Sequence, residues 1–222
     1  NNNIGLPLTI LDLNENVEVL ILEMGTNSPG EIEVLSNIAR PNLSVITNIG
    51  KGHTLYLKNE NEILREKFNI TKFFGPENFL IFNADNKLLA EKCKNLGFKT
   101  MSFSINSDSD TKGEEISDSY DEFSIKINKE EIKIKIKAAG INNIYNSLSV
   151  VAAAKTLNIE PELIKKGLEE YGGISNRFNI KKTGTNFIIN DSYNANPNSM
   201  KTAIQMTNAI FPNLTKIAII GD

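Results

Sequence analysis

The stretch Phe79-Leu80-Ile81-Phe82-Asn83-Ala84-Asp85 decides how this chain is read. Four bulky apolar residues stand in a row and stop at a polar triplet. The run is too short for a helix and does not alternate, so it reads as a strand covered on both faces, the situation of a parallel sheet flanked by helices. The same pattern recurs at Val17 to Leu22 (VEVLIL) before Glu23-Met24-Gly25, and at Leu43 to Ile46 (LSVI) before Thr47-Asn48. It returns at Phe187 to Ile189 (FII) before Asn190-Asp191 and at Ile217 to Ile220 (IAII) before Gly221-Asp222. Helical spacing fills the intervals. Pro29 to Ala39 opens on a proline and carries Ile32, Leu35, Ile38 and Ala39 on one stripe. Glu60 to Phe73, Asn143 to Leu157, Glu160 to Tyr171 and Pro197 to Ile210 follow. This alternation predicts an α/β chain: a mostly parallel sheet flanked by helices. Two stretches break the rhythm. Asn106 to Glu115 is polar and reads as a mobile loop. Glu122 to Lys137 (EFSIKINKEEIKIKIK) alternates around Asn128-Lys129-Glu130 and predicts a small antiparallel β hairpin, its lysines on the wet face.

The chain has 222 residues, 40% apolar and 23% charged, a globular composition with enough length for its own core. Its net charge of −3 offers no bulk attraction for nucleic acid. Cys93 is the sole cysteine and is read as a structural thiol on a helix; it excludes an internal disulfide framework and any multi-cysteine zinc site. His53 is the sole histidine, which excludes a multi-histidine cage. No apolar run approaches the ~20 residues of a membrane span, and a cytoplasmic setting is expected.

Parallel α/β sheets bind ligands beyond the carboxyl ends of their strands. Glu23, Asn48, Asp191 and Asp222 all fall at such expected ends. Together they predict an acidic, amide-bearing rim suited to Mg²⁺, which prefers carboxylate and phosphate oxygens. Asp and Asn also begin turns at such places, and that reading stays open. His53 lies in Asn48-Ile49-Gly50-Lys51-Gly52-His53, which lacks the Gly-Lys-Ser/Thr ending of a phosphate loop.

Three motifs carry a resemblance. Asn2-Asn3-Ile4-Gly5-Leu6-Pro7, then Glu23-Met24-Gly25 with Ser28-Pro29-Gly30-Glu31-Ile32, and Asp191-Ser192-Tyr193-Asn194-Ala195-Asn196-Pro197 with Ser199-Met200 resemble the Mur ligases. Within that family they resemble the type that adds D-alanyl-D-alanine to UDP-MurNAc-tripeptide in peptidoglycan precursor synthesis. The resemblance covers residues 2–222 and implies the central, ATP-binding domain with a P-loop-like fold. It implies Mg²⁺ held by Glu23, His53 and Lys67, the last in Glu66-Lys67-Phe68-Asn69-Ile70 and carbamylated by CO₂. Carbamate formation needs a neutral amine, so such a site must lower the lysine pKa. Asn143 and Asn146 are implied as amides at a helix start that read adenine, Arg177 as the cation facing the transferring phosphate, and Asp191 as the ribose contact. Read without the resemblance, Lys67 is a helix-surface lysine, the asparagines are helix caps, and Arg177 is a partner in a surface ion pair.

Departures from the family pattern fall at Thr54 and Leu55, where an acidic residue usually follows the histidine, and at Asn69, Asn142 and Asn176. The resemblance also implies a Gly-Lys-Thr phosphate loop upstream of Asn2 and two flanking domains, none of them within residues 1–222. The chain is therefore expected to be one piece of a larger, monomeric ATP-dependent ligase, inactive by itself and less stable or self-associating because apolar strand edges lose their cover. Two rivals stand beside this reading. One is a non-catalytic nucleotide- or partner-binding module retaining the fold; the other is another ligase of the superfamily, such as a folylpolyglutamate synthase or an amidating type.

Overall fold

The computed structural model describes residues 2–50, 59–127, 130–193, 195 and 197–221. The chain divides into two units, one of Asn1–Gly113 with Tyr145–Ile159, the other of Glu114–Ile144 with Glu160–Asp222.

The first unit is built on β1 (Leu43–Ile46), β2 (Phe79–Asn83), β3 (Lys99–Ser104) and β4 (Thr111–Glu114), neighbours in that order and parallel throughout. Central β2 is the run that opened the sequence reading. Its Leu80 and Ile81 are fully buried, as an apolar run without alternation requires. Around the sheet lie α1 (Gly5–Leu11), α2 (Glu31–Ala39), α3 (Glu60–Phe68) with a 3-10 turn at Asn69–Thr71, and α4 (Lys87–Lys92). Asn59 caps α3, its Oδ1 accepting the Glu62 N–H at 3.0 Å. One apolar cluster joins Ile46, Ile49, Ile63, Leu80, Leu89 and Cys93. Burial there pushes the Cys93 thiol up to about 12 against the opposing charge of Lys92, which fits a structural thiol. A second cluster joins Leu6, Ile32 and Leu35, with Leu22 and Met24 packed against it.

In the second unit β5 (Glu122–Ile127) and β6 (Glu130–Lys135) form the expected antiparallel hairpin. Phe123 faces Ile134 and Ile125 faces Ile132, all buried, while Lys133 pairs with Glu122 on the wet face. Next come α5 (Ile141–Thr156), whose later turns belong to the first unit, and α6 (Pro161–Glu170), which packs on β6 through its buried Ile164 and Leu168 side. Then follow the antiparallel pair β7 (Asn179–Thr183) and β8 (Asn186–Asn190), and α7 (Pro197–Ile210), within the bounds read from sequence. Among the described residues no helix is long and apolar enough to cross a membrane.

The structure corrects four expectations. Residues 17–22 and 217–220 are not strands: Ile21 is 88% and Ile219 96% exposed, and an apolar run becomes a strand only when a neighbouring ladder takes its N–H and C=O groups. Phe187 to Ile189 does form a strand, but an antiparallel one with largely exposed residues. The polar stretch 106–115 contains β4, where Thr111 is fully buried and a Cβ on Gly113 would stand 3.0 Å from Leu148 Cδ1. That strand exists because glycine lets α5 approach, a tertiary contact that polar composition conceals.

Gly140, at the start of α5, shows what the second unit demands of its backbone. Its φ is +130°, a Cβ there would meet Met206 Cε of α7 at 2.1 Å, and Met206 is buried. Gly140→Ala is expected to destabilise the protein by about 1–3 kcal/mol through backbone strain, whatever Met206 does to make room. Thermal unfolding of wild type and variant checks this; equal melting temperatures would refute it.

Candidate functional site

The carboxyl end of β1 is where sequence and structure meet. The β1–β2 ladder runs from Leu43 opposite Phe79 to Ile46 opposite Phe82 and then stops. Just beyond it, the Asn48 carbonyl accepts a hydrogen bond from Lys67 Nζ at 3.3 Å. Lys67 lies on α3 one turn after Ile63 and Leu64, so the helix that packs its apolar stripe into the core also presses the lysine stem onto the protein. Burial lowers the amine's pKa below the usual lysine range. This is the condition that carbamate chemistry sets.

The preceding residue, Glu66, was not anticipated. It is 4% exposed, and its carboxylate accepts N–H bonds from Gly30 at 2.7 Å and Ile32 at 2.8 Å, with further contacts to Asn69 Nδ2 at 3.2 Å and Thr26 Oγ1 at 3.4 Å. These amides open α2, whose N-terminal N–H groups lack helical partners and carry the positive end of the helix dipole. The loop after Glu23 is gripped a second time by Glu31, which accepts the N–H groups of Asn27 at 2.6 Å and Ser28 at 3.0 Å. A signal for Glu66 was present: with Ile63 and Ile70 it falls on one stripe, a charge on an apolar face. Glu23 itself is exposed. His53 and Asp222 lie outside the described residues. Among the described residues no three His, Cys, Asp or Glu side chains gather as a metal cluster. Of the expected strand-end rim, only Asn48 follows a parallel strand; Glu23 follows an irregular segment and Asp191 ends an antiparallel one.

Asp85, beyond the end of β2, organises the same unit. It accepts N–H bonds from Ile105 at 2.8 Å, Asn106 at 3.0 Å and Ser107 at 2.7 Å, and the Tyr145 hydroxyl at 2.8 Å. Burial alone would raise its pKa. The Asn106 and Ile105 amides, with Ser107 and Tyr145, overcome that and hold the carboxyl well below its usual range. Tyr145 is pushed the other way, by burial first and then by Asp85. The short β3–β4 connection therefore depends on one carboxylate for its amides, in place of the helix that parallel strands normally require.

Two further groups were expected to carry function. Asn146 is exposed on α5, three residues after Asn143, whose Nδ2 donates to the Ala139 carbonyl at 3.2 Å. In the second unit, Arg177 and Asp191 come together: Asp191 Oδ1 accepts the Phe178 N–H at 3.0 Å, and the Arg177 guanidinium lies 4.3 Å from the centroid of the Tyr193 ring. The Tyr193 N–H donates to the Asn176 carbonyl at 3.0 Å and closes the arrangement. A ring so placed favours a cation over it.

Residues 1–154 match the family profile of the Mur ligase middle domain. The chain is similar to the UDP-N-acetylmuramoyl-tripeptide–D-alanyl-D-alanine ligase of Bacillus subtilis, with 36% identity over 225 residues, covering 100% of this chain and 48% of that protein. It is similar to the ligase of the same name from Escherichia coli at 27% over 227 residues, covering 100% of this chain and 50% of that one. Among solved structures it resembles MurF from Acinetobacter baumannii, with a TM-score of 0.88 and 30% identity over 94% of this chain and 46% of that one. The fold also matches Thermotoga maritima MurF in complex with ADP, with a TM-score of 0.82 and 23% identity over 93% of this chain and 48% of that one. The chain spans about half the length of the curated relatives it matches.

The depressed pKa of Asp85 has a sign. A carboxylate stabilised only in the fold contributes stability that is complete above its unfolded value near ~4 and is lost as pH falls below it. Asp85→Asn is expected to lower stability at pH 7 and to flatten the fall in stability on acidification. Urea unfolding of both proteins from pH 7 to pH 3 tests this, and parallel curves would contradict it.

Proposed function

Because the chain belongs to the Mur ligase family, through its middle domain, we propose that it is the ATP-handling domain of a ligase joining D-alanyl-D-alanine to UDP-MurNAc-tripeptide. The observation that carries this reading is similarity along the whole chain to the Bacillus subtilis ligase of that name, together with a desolvated lysine at the exit of β1. In the proposed reaction the peptide carboxylate oxygen attacks the γ-phosphorus of ATP, and ADP leaves. The D-alanyl-D-alanine amine then adds to the acyl phosphate carbon, and phosphate departs as the amide forms.

The residues divide this work. Lys67, short of solvent, has its pKa shifted toward the neutral amine. That amine adds to CO₂, loses a proton and becomes an anionic carbamate. Glu23, His53 and the Lys67 carbamate form a hard-oxygen and imidazole set that suits Mg²⁺. When bound, the ion screens phosphoryl charge. Arg177, a forked cation lying over the Tyr193 ring, is the group we assign to the transferring phosphate. Asp191, whose Oδ1 accepts the Phe178 N–H, is the residue we assign to a ribose hydroxyl. Asn143 and Asn146 present amides for adenine, which pairs one donor with one acceptor.

The test uses the longer protein with ATP, Mg²⁺, UDP-MurNAc-tripeptide and D-alanyl-D-alanine, reading phosphate release. Wild type is expected to turn over only with both substrates present, and Lys67→Ala to lose about 10²-fold or more of the rate. ATP binding without phosphate release would overturn the ligase reading in favour of a non-catalytic binding module.

A further inference from the structure

Asn86 spends every polar atom of its side chain, in two directions. Its Oδ1 accepts the Leu89 N–H at 3.1 Å and caps α4. Its Nδ2 donates to Asn48 Oδ1 at 2.7 Å and to the Ile49 carbonyl at 2.8 Å. A helix cap needs only the acceptor, so the two donor contacts do nothing for α4. They take hold of the chain where it leaves β1.

That place lies beyond the strand ladder. The β1–β2 ladder ends at Ile46 opposite Phe82. Beyond it two consecutive carbonyls are met by side chains instead of by strand amides: Asn48 by Lys67 Nζ and Ile49 by Asn86 Nδ2. Ile49 anchors the same stretch from below in the apolar cluster that also holds Leu89 of α4. The two donors act on adjacent peptide groups, so movement of the β1 exit away from Asn86 moves the carbonyl that Lys67 faces.

We propose that Asn86 is a positioning residue for the candidate site: its amide, anchored on α4, fixes the Asn48–Ile49 exit of β1 and thereby the seat of the Lys67 amine. The functional half of this proposal rests on the ligase reading given above.

Two substitutions separate the cap from the clamp. Asn86→Asp keeps a side-chain acceptor of equal capping quality but turns oxygen toward two oxygens. Asn86→Ser also caps, adds no charge, and is too short to reach Asn48. In the longer protein, both variants are expected to speed amide hydrogen exchange in the peptide spanning residues 47–50 by about ten-fold or more, with the peptide of α4 unchanged. Both are also expected to lower kcat for ATP-dependent ligation by about ten-fold while leaving the KM for ATP near wild type. Unchanged exchange at 47–50, or equal opening of α4, would show that Asn86 is only a cap. Faster exchange with unaltered kcat would overturn the positioning role. A wild-type protein that does not ligate at all would overturn the ligase reading and its Lys67 half of the proposal, while the exchange comparison still decides whether the clamp exists.

Discussion

A buried carboxylate that bonds to backbone amides holds the first unit together at its most chemically loaded place. Glu66 gives its oxygens to the amides that open α2, a helix separated from α3 by β1 in the chain. The helix dipole and the unpartnered N–H groups make this favourable. Removing the acceptor would strand the buried Ile32 donor, at about 1–3 kcal/mol. The bond binds the loop that follows Glu23 to the helix that carries Lys67.

The same economy shapes the chemistry next door. Among the described residues no carboxylate forms an ion pair with Lys67, and desolvation lowers the pKa of its amine. A salt bridge would favour the ammonium; a carbonyl contact at 3.3 Å does so far less. In our proposal this is why a lysine can serve there as an acceptor of CO₂. Arg177 is treated in the opposite way: it stays exposed and lies over an aromatic ring.

Much of this was legible before any coordinates. The uniform apolar runs at Leu43 and Phe79 gave parallel strands, because such runs need cover on both faces. The alternation from Glu122 gave a hairpin with the lysines outward, and the proline at 197 opens its helix as read, whereas the helix read from Pro29 begins at Glu31. What escaped was whatever depends on a distant partner. The runs at residues 17–22 and 217–220 have strand composition, yet a strand is a property of a ladder and not of one segment. Residues 111–114 look like loop, yet glycine at 113 admits Leu148. The roles given to Lys67 and Arg177 came from resemblance to a family, whereas Asp191 was also read as the end of an apolar run. The roles of Glu66, Asp85 and Asn86 were not anticipated, for these residues act on backbone amides and carbonyls whose positions only folding reveals.

The central claim is that α3 delivers Lys67 to a magnesium and polyphosphate site shared with Glu23 and His53. A crystal structure of the longer protein with Mg²⁺ and a non-hydrolysable ATP analogue, grown with bicarbonate, tests it most directly. The account predicts continuous density beyond Lys67 Nζ for a carbamate, on the same ion as Glu23 or His53. An unmodified Lys67 still bonded to the Asn48 carbonyl, with the ion and phosphates bound elsewhere, would contradict it.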